Sequence, residues 1–164
     1  MNEKMNMLSL IIGQSPWHVS AGGVTAPTFK LVLGSKIRRA RPLKNPAQPE
    51  EFQLFEGSIQ ILVWCSWRIQ TPSSLIASSA QGEQGLIHVR SFVGVPIRDA
   101  ICESPFGDLT VGFADDRTIK IFPDAVEDEE NAIPNWELVV DDRQLVVGPG
   151  AKCVESTRPS RRKS

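Results

Sequence analysis

Residues 58–69 constrain the fold more than any other stretch of the chain. Ile59, Ile61, Val63, Cys65, Trp67 and Ile69 fall on every second position, with Ser58, Gln60, Ser66, Arg68 and Gln70 on the other face. Successive side chains of an extended strand point to opposite faces, so this spacing gathers six apolar groups on one side. A strand of this length bends or twists around the core it covers. Leu62 and Trp64 break the rule by placing apolar groups on the polar face. Either that face is covered as well, or Trp64 is exposed, and an exposed tryptophan is a common binding hot spot. Trp17, next to Pro16, is open to the same two readings.

The same period predicts further strands at 28–33, 36–40, 51–55, 96–102, 108–113, 118–122, 135–140 and 144–147. Glu56-Gly57 reads as a hairpin turn between 51–55 and 58–69, and residues 114–117 as the turn between 108–113 and 118–122. Leu8, Leu10 and Ile12 alternate too, which favours a first strand over the core of a secretory signal, since Ser9 interrupts the apolar run. Helix signals are weak. Pro72, Gly82 and Gly85 leave room only for a turn or two near 73–79 or 83–90. Twelve prolines and twelve glycines, mostly between the strands, point to an all-β sandwich or partly open barrel.

An internal echo refines that expectation. Leu33-Gly34-Ser35-Lys36-Ile37-Arg38-Arg39-Ala40 parallels Val93-Gly94-Val95-Pro96-Ile97-Arg98-Asp99-Ala100. A strand-turn-strand hairpin follows each, and then a Trp-x-aliphatic triplet, Trp67-Arg68-Ile69 and Trp136-Glu137-Leu138. The chain therefore reads as two duplicated β-meander halves, about 28–70 and 92–140, each with one apolar face to bury against the other.

Residues 1–150 are read as one domain, the usual division for a chain of 164 residues. Residues 151–164 carry Lys152, Arg158, Arg161, Arg162 and Lys163 against the single acid Glu155 and are expected to be a disordered basic tail. The whole chain has a formal net charge of −1, which argues against a nucleic-acid partner. No apolar run approaches the ~18 residues of a membrane span. The three cysteines, Cys65, Cys102 and Cys153, form no C-x-x-C pair, so neither a disulfide framework nor a zinc knuckle is expected, and a reducing cytoplasmic setting fits. Cys65 belongs to the alternating core face.

Reactive chemistry is sparse. There are two histidines, His18 and His88, and no tyrosine. No zincin, nucleophile-elbow, phosphate-loop or dinucleotide-binding motif occurs, so neither an enzymatic role nor a metal or cofactor is expected. The densest carboxylate cluster, Asp124, Glu127, Asp128, Glu129 and Glu130, lacks the alternating ligands and central glycine of a calcium loop. It reads as a solvated loop or as an acidic patch that meets a basic partner, where charge speeds encounter and sets specificity.

The run Asp108-Leu109-Thr110-Val111-Gly112-Phe113-Ala114-Asp115, then Ile119-Lys120-Ile121-Phe122-Pro123-Asp124, then Asn135-Trp136-Glu137-Leu138, resembles small bacterial proteins of unknown function, some of them immunity proteins of polymorphic toxin systems. The resemblance spans about 92–140, less than a third of the chain, and carries no catalytic residue. It departs from the pattern at Asp116-Arg117, where Asp-Gly is common. It implies a binder that neutralises a toxin domain by covering it, and a basic toxin would suit the acidic loop. The expectation is thus a protein-binding module with Trp64, Asp124, Glu127, Asp128, Glu129 and Glu130 at its contact face. The alternatives are a small-ligand-binding barrel with Trp64 and Trp17 in its pocket, or an enzyme of unfamiliar type using His18 or His88.

Overall fold

The computed structural model of the chain describes residues 7–21, 28–127 and 132–158. Within them, eleven strands form two antiparallel sheets, neither closed into a barrel. The first sheet has the order β1-β2-β3-β9-β10-β11, built from His18–Ala21, Phe29–Arg38, Phe55–Val63, Trp136–Val140, Arg143–Val147 and Cys153–Thr157. The second has the order β5-β4-β8-β7-β6, built from Leu75–Ser78, Ser66–Gln70, Thr118–Phe122, Asp108–Phe113 and Ile97–Glu103. Their inner faces share one apolar core. Phe29 of β2 meets Trp67 of β4 edge to face across it, with centroids 5.5 Å apart. Trp136 of β9 is buried and donates its indole N–H to the Gly107 carbonyl in the β6–β7 turn, at 2.8 Å.

The long alternating segment explains how one chain serves both sheets. Ile59, Ile61, Val63, Cys65, Trp67 and Ile69 are all buried, so the inward face runs unbroken along it. The hydrogen-bond partners do change. β3 pairs with β2 and β9, whereas β4 pairs with β8 and β5. The break falls at Trp64 and Cys65, and the predicted bend is a change of sheet.

Several local expectations are corrected. Residues 7–9 are helical and 10–13 form turns, with Leu10, Ile11 and Ile12 each donating to the carbonyl three residues back. Met7, Leu8 and Ile11 are buried while Leu10 and Ile12 are exposed, so the period-two reading of Leu8, Leu10 and Ile12 fails. Residues 51–55 are not a strand. Glu50–Leu54 is a short helix, α1, that buries Phe52, and Glu56-Gly57 lies inside β3 opposite Ile37 and Lys36. The segments 28–33 and 36–40 fuse into β2, with a register shift between Leu33 and Lys36 where Gly34 has φ +74°. Residues 75–78 form β5, and the other helical candidate becomes α2, Glu83–Arg90. The expected tail supplies β11, which pairs with β10 from Cys153↔Val147 to Thr157↔Arg143; only residues 159–164 lie outside the description. The 114–117 turn joins β7 to β8, with Asp116 at φ +67°.

The two similar segments are not sorted one per sheet. Residues 28–70 supply β2 and β3 to the first and β4 to the second, while 92–140 supply β6, β7 and β8 to the second and β9 to the first. Gly34 and Gly94 share a positive φ, +74° and +84°, but Ile37 is exposed and Ile97 buried.

Candidate functional site

The strand break at Trp64 and Cys65 is organised by one side chain that the sequence pattern did not single out. Asn135 is buried, and its backbone carbonyl accepts from both Trp64 N (3.0 Å) and Cys65 N (3.2 Å). Its own N–H donates to Val147 O at 2.8 Å. Its side-chain Oδ1 accepts from Asp124 N (3.1 Å) and Ala125 N (2.9 Å), and Nδ2 donates to Gly148 O at 2.9 Å. A buried amide with every polar atom engaged holds its neighbours in one geometry. Asn135 thereby fastens the start of the acidic segment to the corner where β3 becomes β4. Nothing in its sequence context, at the mouth of a predicted strand, separates it from an ordinary turn asparagine.

The corner brings together two of the expected contact residues. Trp64 and Ser66 are two positions apart on the same outward side of the chain, a separation of about 7 Å in extended backbone. The Ser66 hydroxyl donates to the carboxylate of Asp124. Asp124, Ala125, Val126 and Glu127 are exposed. Asp128, Glu129 and Glu130 lie outside the described residues. Three exposed apolar residues flank these groups along the chain: Phe106 (68% exposed) next to Gly107, Val126 (77%) next to Ala125, and Ile133 (58%) two residues before Asn135. Among the described residues no three His, Cys, Asp or Glu side chains are grouped closely enough to hold a metal ion.

Trp64 also borders a cleft of about 720 Å³. Cross-strand partners share a face, and Ser20↔Lys30 and Lys30↔Leu62 form a row across the outer surface of β1, β2 and β3. One wall is the 45–49 segment before α1, including Asn45 and Gln48, and the far rim carries Arg90 and Val93. Gln48 ties this wall to β1, its Oε1 accepting from His18 Nε2 (3.0 Å) and its Nε2 donating to Ser20 Oγ (3.1 Å). His18 also stacks on Phe52 of α1, centroids 4.3 Å apart. Burial holds the His18 imidazole below its ordinary value. The Gln48 hydrogen bond opposes this, nearby Lys30 reinforces it and Glu51 opposes it. Arg90 donates to the Ala21 carbonyl at 3.0 Å.

Leu62 and Trp64, the two exceptions to the alternation, are thus both cleft residues. Trp17 is not among the residues lining the cleft. It stands beside it against His18 and Phe52, under the Lys36 ammonium. Ser20, Asn45, Gln48 and Arg90 went unnoticed in the sequence because the cleft is assembled from five separate segments. His88, the other histidine, sits on α2 with its ring exposed and takes no part.

Cys65 is buried at the corner, where burial and the nearby Asp124 charge push its thiol up to about 12. That suits a core group, not a nucleophile. No helix among the described residues is long and apolar enough to cross a membrane. No protein-family model, no curated protein and no solved structure matches the chain.

Proposed function

We propose that this chain is a protein-binding module whose contact face is the outer surface of the β3–β4 corner. The observation that supports this most is the union of an acidic strap with exposed apolar side chains on a rigid anchor. Asp124 is fixed by Ser66 and Asn135, Val126 and Ile133 are exposed on either side of the same segment, and Phe106 is exposed next to Gly107, the acceptor of the Trp136 indole. Trp64 adds an aromatic at the edge of the same surface, and aromatics dominate interface energetics.

The carboxylates of Asp124, Glu127, Asp128, Glu129 and Glu130 suit a basic partner. A toxin domain covered in a one-to-one complex is the partner that the family resemblance implies. In this reading the chain acts by occupancy, and its affinity comes from the apolar and aromatic groups, while the acids speed and orient encounter.

Quantitative capture tests it. The native chain should retain one basic protein at one-to-one stoichiometry. A variant with Glu127→Gln, Asp128→Asn, Glu129→Gln and Glu130→Gln should lose most of it, and Val126→Ser with Ile133→Ser should lose the rest. Capture that survives both variants would remove this face from consideration.

A further inference from the structure

From the cleft beside Trp64 we infer a second site, one that takes a small organic anion with an aromatic or apolar body. It does not rest on the protein-binding reading, because its lining includes none of the acidic strap.

Three observations carry it. First, the volume of about 720 Å³ lies in the range of small-molecule sites, roughly 300–1,000 Å³. Second, its floor is apolar where solvent would favour polar groups. Leu62 and Trp64 occupy outward positions in a segment whose other outward residues, Ser58, Gln60, Ser66 and Arg68, are polar. Third, the charge is one-sided. Lys30 and Arg90 border the cleft, with the amides of Asn45 and Gln48 and the hydroxyl of Ser20 between them, and none of its described lining residues is a carboxylate. Two nearby acids stand outside this lining. Glu51 pairs with Lys36, and Glu137, across from Leu62 on β9, accepts from Gln144. His18 held toward its neutral form is the response of an imidazole to burial and to the Lys30 charge. An anionic head fits near Lys30 and Arg90, and a flat apolar body fits along Leu62 and Trp64.

Two probes with the same aromatic body separate charge from apolar affinity: 1-anilinonaphthalene-8-sulfonate and uncharged 1-anilinonaphthalene. The native chain should bind the sulfonate at one equivalent, at least tenfold more tightly than the neutral probe, and lose that preference as salt is raised. Lys30→Gln with Arg90→Gln should weaken the sulfonate about tenfold and leave the neutral probe unchanged. In a ¹H–¹⁵N spectrum the Trp64 indole resonance, assigned by its loss in Trp64→Phe, should shift on titration, and those of the core residues Trp67 and Trp136 should not. The spectrum and the salt series need only the native fold, so they stand even if the double variant is unstable. Equal affinity for the two probes, or sulfonate binding that leaves Trp64 unmoved, would overturn the proposal.

Discussion

The amide of Trp64 donates to the backbone carbonyl of Asn135 at 3.0 Å, at the point where one strand leaves its first sheet and enters the second. The same asparagine holds Asp124 and Ala125 through its side chain. One residue therefore couples the sheet-switching corner to the acidic strap. In this protein a strand interruption is also where the candidate contact residues are fixed.

Asn135→Ala should accordingly do two things. It leaves the Asp124 and Ala125 amides and the Gly148 carbonyl without their partner. Net losses of about 1 kcal/mol per hydrogen bond, with a desolvation penalty where groups stay buried, predict about 2–4 kcal/mol of destabilisation. Urea unfolding measures that. Limited proteolysis should also show faster cleavage within 123–127 at concentrations of urea where the variant is still folded. A variant as stable as the native chain would mean that water replaces the side chain at no cost.

Gly34 and Gly94 share a backbone conformation but not a surrounding. Both have positive φ, which disfavours any residue with a Cβ by about 1–2 kcal/mol. A Cβ at Gly34 would also collide with Ser58 Oγ and press on Ile59, whereas at Gly94 it would meet nothing within 4 Å. Gly34→Ala should therefore cost more than Gly94→Ala. Equal losses in thermal unfolding would show that the β2 bulge relaxes freely.

His18 makes stability depend on pH in a defined direction. In the unfolded chain its imidazole titrates near the ordinary value of 6.5, and in the folded chain burial lowers it. As pH falls through 6.5 the unfolded state gains the proton first, so stability is full above that value and declines below it. The decline ends once pH passes below the folded value and both states are protonated. Unfolding free energies at pH 7.5, 6.5 and 5.5 should fall in that order, and His18→Gln should flatten the series. An unchanged slope in the variant would place its origin in another group.

Cys65 and the other two cysteines should separate by reactivity. With the Cys65 thiol buried and pushed up to about 12, it stays protonated and shielded at pH 8. Cys102 and Cys153 are partly exposed. An aromatic disulfide reagent should titrate the latter two in the native protein and reach the third only on unfolding. Cys65→Ser should leave the native titration unchanged. Rapid modification of Cys65 would mean that the corner opens far more readily than its packing implies.

The strand content was readable because period-two alternation reports a half-buried sheet directly, and β7, β8 and the inward face of 59–69 follow it closely. What alternation does not report is the hydrogen-bond partner. Residues 58–69 keep one inward face while changing sheets, so pattern alone reads them as a single strand. The N-terminal turn misleads for a related reason. Three alternating apolar residues also fit one short helical turn, and Met7, Leu8 and Ile11, spaced one and three apart on one side of that turn, are the ones buried. Residues 51–55 carry only Phe52 and Phe55 as bulky aromatics, too few to separate a strand from the helix that buries Phe52. In the site, Trp64 stood out by breaking a rule. Asn135, Lys30, Gln48 and Arg90 break none, and their roles come from long-range placement alone.

The contact face at the corner is tested most directly by hydrogen exchange on the complex formed with a captured basic partner. Slowed exchange confined to the amides around 64–66, 105–107 and 124–133, absent with the Glu127→Gln, Asp128→Asn, Glu129→Gln and Glu130→Gln chain, is the predicted result. Protection centred instead on the outer edge of β11 or β6, with the corner unchanged, would contradict it.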